Sequence, residues 1–251
     1  MYKVTIAGLT ALALVSALGL AGCGKSPDED EAKAAAPAYT PQQAEAVRAV
    51  ADKGDAAAQL KVGRMYATGD GAPQDTTEAV TWYRKAAEQG LAEAQFTLGD
   101  VLQTGTGVEG SLDLAAKEFE KAAAQGHVEA MKRLGKILEN RHDFAWAGAY
   151  YEKAAEQGWC DHADTLSVYY RTGEGVKKDP VEAYKWALVA ASAPPPDYAS
   201  DKTIQMHQGV VETAVMNAKN VLNAAQEAEG ERLAREQIAR VKCVVTTASY
   251  L

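Results

Sequence analysis

The sequence has few of the residues that most often carry chemistry. Its 251 residues include three cysteines and four histidines, and aromatic residues make up 7% of the chain. It contains no Cys-x-x-Cys pair, no His-Glu-x-x-His zinc motif and no Gly-x-Ser-x-Gly nucleophile motif. These absences argue against a thioredoxin-like redox protein, a zinc peptidase and a serine hydrolase. We therefore expect a protein that is not an enzyme and that uses no metal or other cofactor.

Positive charge is also scarce. The chain has 26 Lys and Arg residues against 34 Asp and Glu residues, which gives a formal net charge of -8 and a pI near 5.1. Nucleic-acid-binding proteins usually present a basic patch or stripe to the phosphate backbone. An acidic chain with no such cluster excludes nucleic acid as the expected partner.

The N-terminus reads as an export signal over residues 1–22. Lys3 is followed by an uncharged segment, residues 4–22, that ends in small residues, as in a cleaved signal peptide. The segment approaches the length of a membrane span, so an uncleaved anchor stays open as the alternative.

Residues 20–23, "LAGC", resemble the lipobox of bacterial lipoproteins. That resemblance implies cleavage before Cys23 and acylation of its sulfur, which would anchor the protein in a membrane. Because Gly24 rather than Asp follows Cys23, the resemblance further implies the outer membrane, with the protein facing the periplasm.

A short tether and a half repeat follow. Residues 23–39 are rich in charge, Ala and Pro and have little to bury, so they predict a flexible tether. Thr40, Pro41 and Gln43 predict a capped helix start, because threonine caps well, proline suits the first helical position and glutamine completes a capping box. This helix is predicted to end at Gly54, within a half repeat covering residues 40–54.

The remainder of the chain to residue 192 is periodic. "KAAEQG" occurs at residues 85–90 and again at 153–158, and "KAAAQG" occurs at 121–126. The glycines at 54, 90, 126 and 158 are spaced by 36, 36 and 32 residues, and the set Gly63, Gly99, Gly135 and Ser167 repeats those intervals. The period predicts four units, residues 55–90, 91–126, 127–158 and 159–192.

Each unit is predicted to be a helix, a turn and a second helix. Asp75, Ser111, Asp143 and Asp179 stand where the second helices would begin, and Glu78 and Glu182 follow two of them at capping-box spacing. The turns contain two glycines separated by one residue, except in the third unit, where the turn "ENRHD" is four residues shorter. Glycines inside the first helices predict a close approach by a partner helix, which would offset their cost of about 1 kcal/mol.

This pattern resembles the Sel1-like repeat family, which is related to tetratricopeptide repeats. The residues that carry the match are "AQFTLGDVLQTGTGV" and "AAEQG" in their spacing. The resemblance implies an all-α fold, a right-handed superhelical solenoid of stacked helical hairpins.

Residues 193–251 predict a Pro linker, a C-terminal helical cap of one or two helices, and a tail. Gly230 is expected to break the helical region, and a coiled-coil dimerisation helix is the alternative to a cap. Export to an oxidising compartment allows a disulfide between Cys160 and Cys243, with two separate thiols as the alternative.

The repeat resemblance also implies a function. Members of the family often act as adaptors, so we expect an interaction module or scaffold that binds another protein or peptide. An immunity protein that neutralises a periplasmic toxin of type VI secretion, an envelope organiser and a β-lactamase-like hydrolase are the alternatives. By register with tetratricopeptide repeats, the binding groove is predicted to contain Leu60, Arg64, Phe96, Asp100, Lys132, Lys136, Asp164 and Arg171.

Overall fold

The computed structural model describes residues 39–192 and 201–240, and side chains from residue 208 onward in the second range. All of these residues belong to one compact unit, residues 37–251. The second unit, residues 1–36, lies outside the described part of the chain, as do the predicted Pro linker and the C-terminal tail. The predictions of a signal peptide, of Cys23 acylation and of the tether up to residue 38 therefore concern residues outside the described ranges.

All regular structure in the described ranges is α-helical, which confirms the expected fold class. The helices in chain order are α1 Pro41–Ala51, α2 Ala56–Thr68, α3 Thr76–Glu88, α4 Ala92–Thr104, α5 Leu112–Ala124, α6 Val128–Asn140, α7 Phe144–Glu156, α8 Ala163–Thr172, α9 Pro180–Ser192, α10 Asp201–Lys219 and α11 Ala224–Arg240.

The helices stack in the order of the sequence. Helices α2–α3, α4–α5, α6–α7 and α8–α9 form the four predicted hairpins, and each hairpin also packs against the next one. The repeated "KAAEQG" segment forms the last turn of the second helix and its end, because Gly90, Gly126 and Gly158 adopt positive φ angles there. The paired alanines of this segment are buried against the neighbouring helices, so one unit covers the apolar surface of the next.

Glycines inside the first helices lie directly under aromatic rings. A Cβ atom on Gly63 would lie 2.5 Å from the ring of Tyr83, and one on Gly99 would lie 2.6 Å from the ring of Phe119. Gly135 has the same relation to Tyr151 at 2.5 Å. The prediction of a close approach at these glycines is therefore confirmed, and an aromatic side chain makes it.

The fourth hairpin reaches the same packing with a different pair. Ser167 replaces the glycine, and Ala187 stands at the register position of the aromatic residue. The smaller alanine leaves room for the serine side chain, which is buried and donates a hydrogen bond to the carbonyl oxygen of Ala183 at 2.8 Å. The larger residue on the first helix is thus compensated by a smaller one on the second helix, and the buried hydroxyl has a hydrogen-bond partner.

Buried glutamines connect consecutive units. Gln59 donates from Nε2 to the carbonyl oxygen of Ala51 at 3.2 Å, and its Oε1 accepts from Gln89 at 2.7 Å. The second unit repeats both bonds through Gln95, Ala87 and Gln125. The glutamine of "KAAEQG" therefore holds a buried glutamine of the first helix in position, and that buried glutamine donates to a carbonyl group at the end of the preceding helix.

The glycine-containing turns cover the preceding second helix. A Cβ atom on Gly107 would lie 2.5 Å from the carbonyl oxygen of Thr76 at the start of α3, and one on Gly175 would lie 2.3 Å from the carbonyl carbon of Phe144 at the start of α7. The shorter third turn has no such glycine. It reverses instead through His142, the only non-glycine residue with positive φ in the described ranges.

Helix capping follows the sequence in part. Thr40 and Gln43 form the predicted capping box, but α1 ends at Ala51 rather than at Gly54. Asp75, Ser111 and Asp179 accept hydrogen bonds from the first turns of their helices.

Three capping predictions are wrong. The side chain of Asp143 makes no capping hydrogen bond. Glu78 and Glu182 do not complete capping boxes, because the backbone N–H groups of Asp75 and Asp179 donate to the carbonyl oxygens of Tyr66 and Tyr170, both at 2.9 Å. The carboxylate of Glu78 instead accepts the indole N–H of the buried Trp82 at 3.0 Å.

Two C-terminal helices cover the end of the stack, as the capping prediction states, because α10 and α11 both pack against α9. Gly230 does not break the region. It lies inside α11, where a Cβ atom would be 2.8 Å from the ring of Tyr184. The break falls earlier, where Asn223 caps α11 and accepts from the backbone N–H groups of Ala225 and Gln226.

Helix α11 also contacts the third unit. Gln237 donates to the carbonyl oxygen of Ala155 at 3.3 Å, which is the bond that Gln59 makes to Ala51 in the first unit. Cys160 lies in this region, is buried and is disulfide-bonded. The predicted partner, Cys243, follows the end of α11 by three residues and lies outside the described ranges.

We predict that the bond joins Cys160 to Cys243. Non-reducing peptide mapping of the domain without residues 1–23 should yield one linked peptide that contains both cysteines. Replacing both with serine should lower the free energy of unfolding by about 2–4 kcal/mol, because the bridge closes a long loop and so restricts the conformations of the unfolded chain. Two thiols that both react with maleimide in the folded protein would contradict the prediction.

Candidate functional site

The first helices of the units present a charged surface, which we call the first-helix face. It consists of the solvent-accessible side chains of α2, α4, α6 and α8. Arg64 of α2 pairs with Glu93 of α4 at 2.5 Å, and Asp100 of α4 pairs with Arg133 of α6 at 3.4 Å. The predicted residues Arg64 and Asp100 thus lie on one surface that crosses three units.

His127 lies at the centre of this face and contacts its neighbours through both ring nitrogens. Its Nδ1 accepts from the backbone N–H of Ala130 at 3.2 Å, so Nε2 carries the proton and donates to Glu93 at 3.0 Å. The hydrogen bond from His127 lowers the pKa of Glu93, burial opposes this, and the guanidinium of Arg64 lowers the pKa further. The ring of Phe96 stacks on the imidazole with 4.6 Å between centroids, so Phe96 is half-buried rather than an exposed anchor.

Two predicted groove residues are buried, and the prediction is corrected for them. Leu60 is 6% exposed and belongs to the hydrophobic core between the first units. Lys132 is also 6% exposed, and its ammonium group lies 2.9 Å from Asp161 and 3.1 Å from Glu129. A buried lysine needs such carboxylate partners, so Lys132 joins the third unit to the fourth and is not accessible to a ligand.

The remaining predicted residues extend the face toward the C-terminus. Lys136 is exposed and pairs with Glu139 at 2.8 Å. Arg171 is exposed at the end of α8, and Asp164 is half-buried in its first turn. Glu139 also accepts from Tyr169 at 3.2 Å, which connects α6 to α8. The face therefore continues across the third and fourth units with charges of both signs.

His162 is the residue before α8 and is half-buried. Its ring stacks on Tyr151 with 4.1 Å between centroids. Burial lowers the pKa of His162 from 6.5, although the carboxylates of Asp161 and Asp164 act in the opposite direction. The charged groups around it also include Lys132, which lowers the pKa, and Glu139, which raises it.

This shift predicts a loss of stability in mild acid. The unfolded chain binds a proton at His162 near pH 6.5, whereas the folded chain binds it only at lower pH, so unfolding becomes more favourable as the pH falls below that value. Urea titrations at pH 7.5, 6.5 and 5.5 should show that the free energy of unfolding depends less on pH for His162→Gln than for the wild type. The exposed His142 gives the control, since His142→Asn should keep the wild-type slope. Equal slopes for all three proteins would contradict the prediction.

The described residues do not assemble an obvious metal site. Among residues 39–192 and 201–240, no three side chains of His, Cys, Asp or Glu are grouped closely enough to hold a metal ion. None of the helices in the same ranges has both the length and the apolar character of a membrane-spanning helix.

A second surface feature lies on the opposite helices of the hairpins, between α5 and α7. We call it the α5–α7 groove. It has a volume of about 480 Å³, with Leu134 and Leu138 of α6 at its base. Its α7 wall carries Trp146, which is 60% exposed, and Tyr150. The charged residues of its rim and walls are Asp113, Lys117, Glu120, Arg141 and Asp143.

The fold and these surfaces define an α-solenoid, in which stacked helical hairpins leave extended faces for interaction rather than one enclosed cavity. The Sel1 repeat model matches residues 56–91, 92–127, 128–159 and 166–194, which together make up more than half of the chain. The chain belongs to the Sel1 repeat family. Proteins built from this repeat generally act as interaction modules.

The chain is similar to several solved structures. The chain is 26% identical to a Sel1 repeat protein from Oxalobacter formigenes, with a TM-score of 0.58 over 78% of this chain and 79% of that one. A protective antigen of uropathogenic Escherichia coli is 22% identical and gives a TM-score of 0.45 over 80% of this chain and 49% of that one. An immunity protein from Pseudomonas aeruginosa is 16% identical, with a TM-score of 0.39 over 73% and 77%. A comparison with curated proteins gives no match.

Proposed function

We propose that the protein is an acylated envelope lipoprotein whose repeat stack binds another protein through the first-helix face. The observation that carries the proposal is the continuity of exposed charge across this face, from Arg64 through Asp100 to Lys136. Exposed ion pairs contribute only about 0–1 kcal/mol each to stability. A partner can therefore replace one member of a pair at little cost and gain orientation and specificity from the others.

Phe96 and His127 would add an apolar element to this surface. Their stacked rings lie between the ion pairs of the first and third units, and neither side chain is fully buried. Interfaces commonly combine such an aromatic element with a polar surround. The proposed ligand is a protein segment that carries charges of both signs around an apolar side chain.

Affinity capture with charge-reversed variants tests the proposal. The full-length lipoprotein with Arg64→Glu and Lys136→Glu should lose the partner that the wild type captures from intact cells after crosslinking. Lys121→Glu is the matched control, because Lys121 is 56% exposed against 63% for Lys136 and each pairs with a glutamate three residues away. Retention of the same partner by the double variant would contradict the use of this face.

The identity of the captured partner separates the narrower alternatives. An exported toxin would support an immunity protein, and an envelope component would support a scaffold or an envelope organiser. The hydrolase alternative requires turnover of nitrocefin by the folded domain, and we expect none.

The anchor is proposed from the N-terminal sequence alone. Cys23 follows the small residues of "LAGC", and acylation there would hold the repeat stack at the membrane, with the outer membrane facing the periplasm as the expected site. Labelling with an alkyne fatty acid should modify the wild type and not Cys23→Ser. Fractionation of the two proteins should place only the wild type in the outer membrane, and equal distribution would contradict the proposal.

A further inference from the structure

The α5–α7 groove lies where the third turn is four residues shorter than the other turns. At the neighbouring junctions a glycine-containing turn covers the start of the preceding second helix, so Gly107 lies against Thr76 and Gly175 lies against Phe144. Leu112 occupies the same register position at the start of α5. No turn covers it, and it is 53% exposed.

The walls of the groove repeat the register of a covered junction. Asp113, Ala116, Lys117 and Glu120 line the groove from α5. The residues 36 positions earlier, Thr77, Val80, Thr81 and Arg84, line a smaller groove of about 370 Å³ on α3, which Gly107 and Val108 border. At the fourth turn, Val176 lies on α7, 3.7 Å from the Cβ position of Gly148. Both complete turns therefore place Gly-Val on the second helix of the unit before, and the groove is the equivalent position without it.

We propose that the α5–α7 groove binds a loop of a partner protein. The loop has two glycines separated by one residue, followed by an aliphatic and a basic residue. The second glycine would lie against the backbone at the start of α5, as Gly107 and Gly175 do in their own junctions. The aliphatic side chain would cover Leu134 and Leu138. This surface is separate from the first-helix face, so the inference does not depend on the proposed function of that face.

The charge of the groove selects the basic residue. Asp113, Glu120 and Asp143 face Lys117 and Arg141, which leaves an excess of negative charge. The ion pair between Arg141 and Asp113, at 2.6 Å, spans one end of the groove. The exposed ring of Trp146 can hold a cation over its face, which adds to the attraction of the carboxylates.

The chain itself does not supply an obvious occupant. Its three Gly-x-Gly turns are already packed on their own preceding helices, including Gly71, whose Cβ position lies 3.2 Å from Ala44 of α1. Residues 24–38 contain one glycine and the acidic run Asp28–Glu31, which the excess of negative charge would disfavour. A second copy presents the same covered turns, so a loop of another protein fits best.

Peptides copied from the chain's own turns provide defined probes. RTGEGVKKD has the sequence of residues 171–179, and QTGTGVEGS has that of residues 103–111. The indole N–H signal of Trp146, one of four tryptophans, reports binding in the folded domain by NMR. We expect RTGEGVKKD to shift the Trp146 signal until it reaches saturation. The peptide QTGTGVEGS, which has a glutamate after the valine, should bind about three-fold more weakly. RTGELVKKD, in which leucine replaces the second glycine, should give no shift.

A grafted variant tests the same inference within the protein. Replacing Asn140–Asp143 with Thr-Gly-Glu-Gly-Val-Lys-Lys-Asp restores the missing length, and the graft should fill the groove and abolish the shift. Val210→Ala, which changes an exposed apolar residue of α10, should leave peptide binding unchanged. Equal shifts with RTGEGVKKD and RTGELVKKD, or no shift with either, would overturn the proposal. Self-association of the domain that RTGEGVKKD displaces would assign the groove to a second copy instead, and would also overturn it.

Discussion

Gly99→Leu is expected to lower the free energy of unfolding by about 3 kcal/mol. A Cβ atom at this position would lie 2.6 Å from the ring of Phe119, which is fully buried and cannot turn away. Thermal and urea unfolding followed by circular dichroism at 222 nm measure the change. Gly209→Leu is the matched control. It lies in α10 with open space around it and should raise stability by about 0.5–1 kcal/mol, because glycine is a poor helix former.

The fourth hairpin supplies a compensating change for the same site. Its Ser167 and Ala187 stand where the second hairpin has Gly99 and Phe119. Gly99→Ser should therefore be destabilising alone and nearly neutral in a Phe119→Ala background, with a coupling of at least about 1 kcal/mol between the two changes. Additive effects would show that the glycine and the ring do not determine each other, and would contradict this account of the packing.

Gly175→Ala is expected to have a comparable effect, near 3 kcal/mol, for two separate reasons. Gly175 has a φ of +72°, where a side chain costs about 1–2 kcal/mol, and the new Cβ atom would lie 2.3 Å from the backbone of Phe144. Gly126→Ala isolates the first contribution, because Gly126 has a φ of +85° and nothing within 4 Å of its Cβ position.

The comparison of these two variants by urea unfolding tests the turn packing. Gly126→Ala should lose about 1–2 kcal/mol and Gly175→Ala about 1–2 kcal/mol more, since only the latter forces the turn away from α7. Equal losses would mean that the turn does not rest on the preceding helix. That result would also remove the basis for the loop that we propose for the α5–α7 groove.

The sequence predicts the hairpins and their stacking well, because the features that determine them are local and repeated. Glycine at positions 63, 99 and 135 and the "KAAEQG" helix ends are visible in one sequence, and the structure gives each the expected place. The role of Gln89 and Gln125 is not visible in the same way. It depends on buried partners from the first helix of each unit and on a carbonyl group of the unit before.

The candidate surface is predicted less well, because register alone does not say how deeply a helix position is buried. Leu60 and Lys132 share a register position, and both are covered by neighbouring units. Lys132 is accommodated there only because Asp161 and Glu129 lie within reach, a contact that depends on the stacking of the third and fourth units. Glu93 and His127 were missed, although a glutamate recurs one repeat later at Glu129.

The α5–α7 groove shows a further limit of the sequence. The four-residue deficit of the third turn is plain from the repeat spacing, and it predicts an altered connection. What the missing residues would have covered becomes apparent only from Gly107 and Gly175, whose contacts lie in the preceding unit. The consequence of the missing segment falls on Leu112, which belongs to the preceding unit and is distant from the third turn in sequence.

Site-specific photo-crosslinking in intact cells tests the central claim, that the first-helix face binds a protein. A photoreactive amino acid is placed at Arg64, at Lys136 or, as the control on α5, at Lys121. We expect the same protein to be crosslinked from positions 64 and 136 and not from 121. Crosslinking from 121 alone, or from none of the three positions, would contradict the claim.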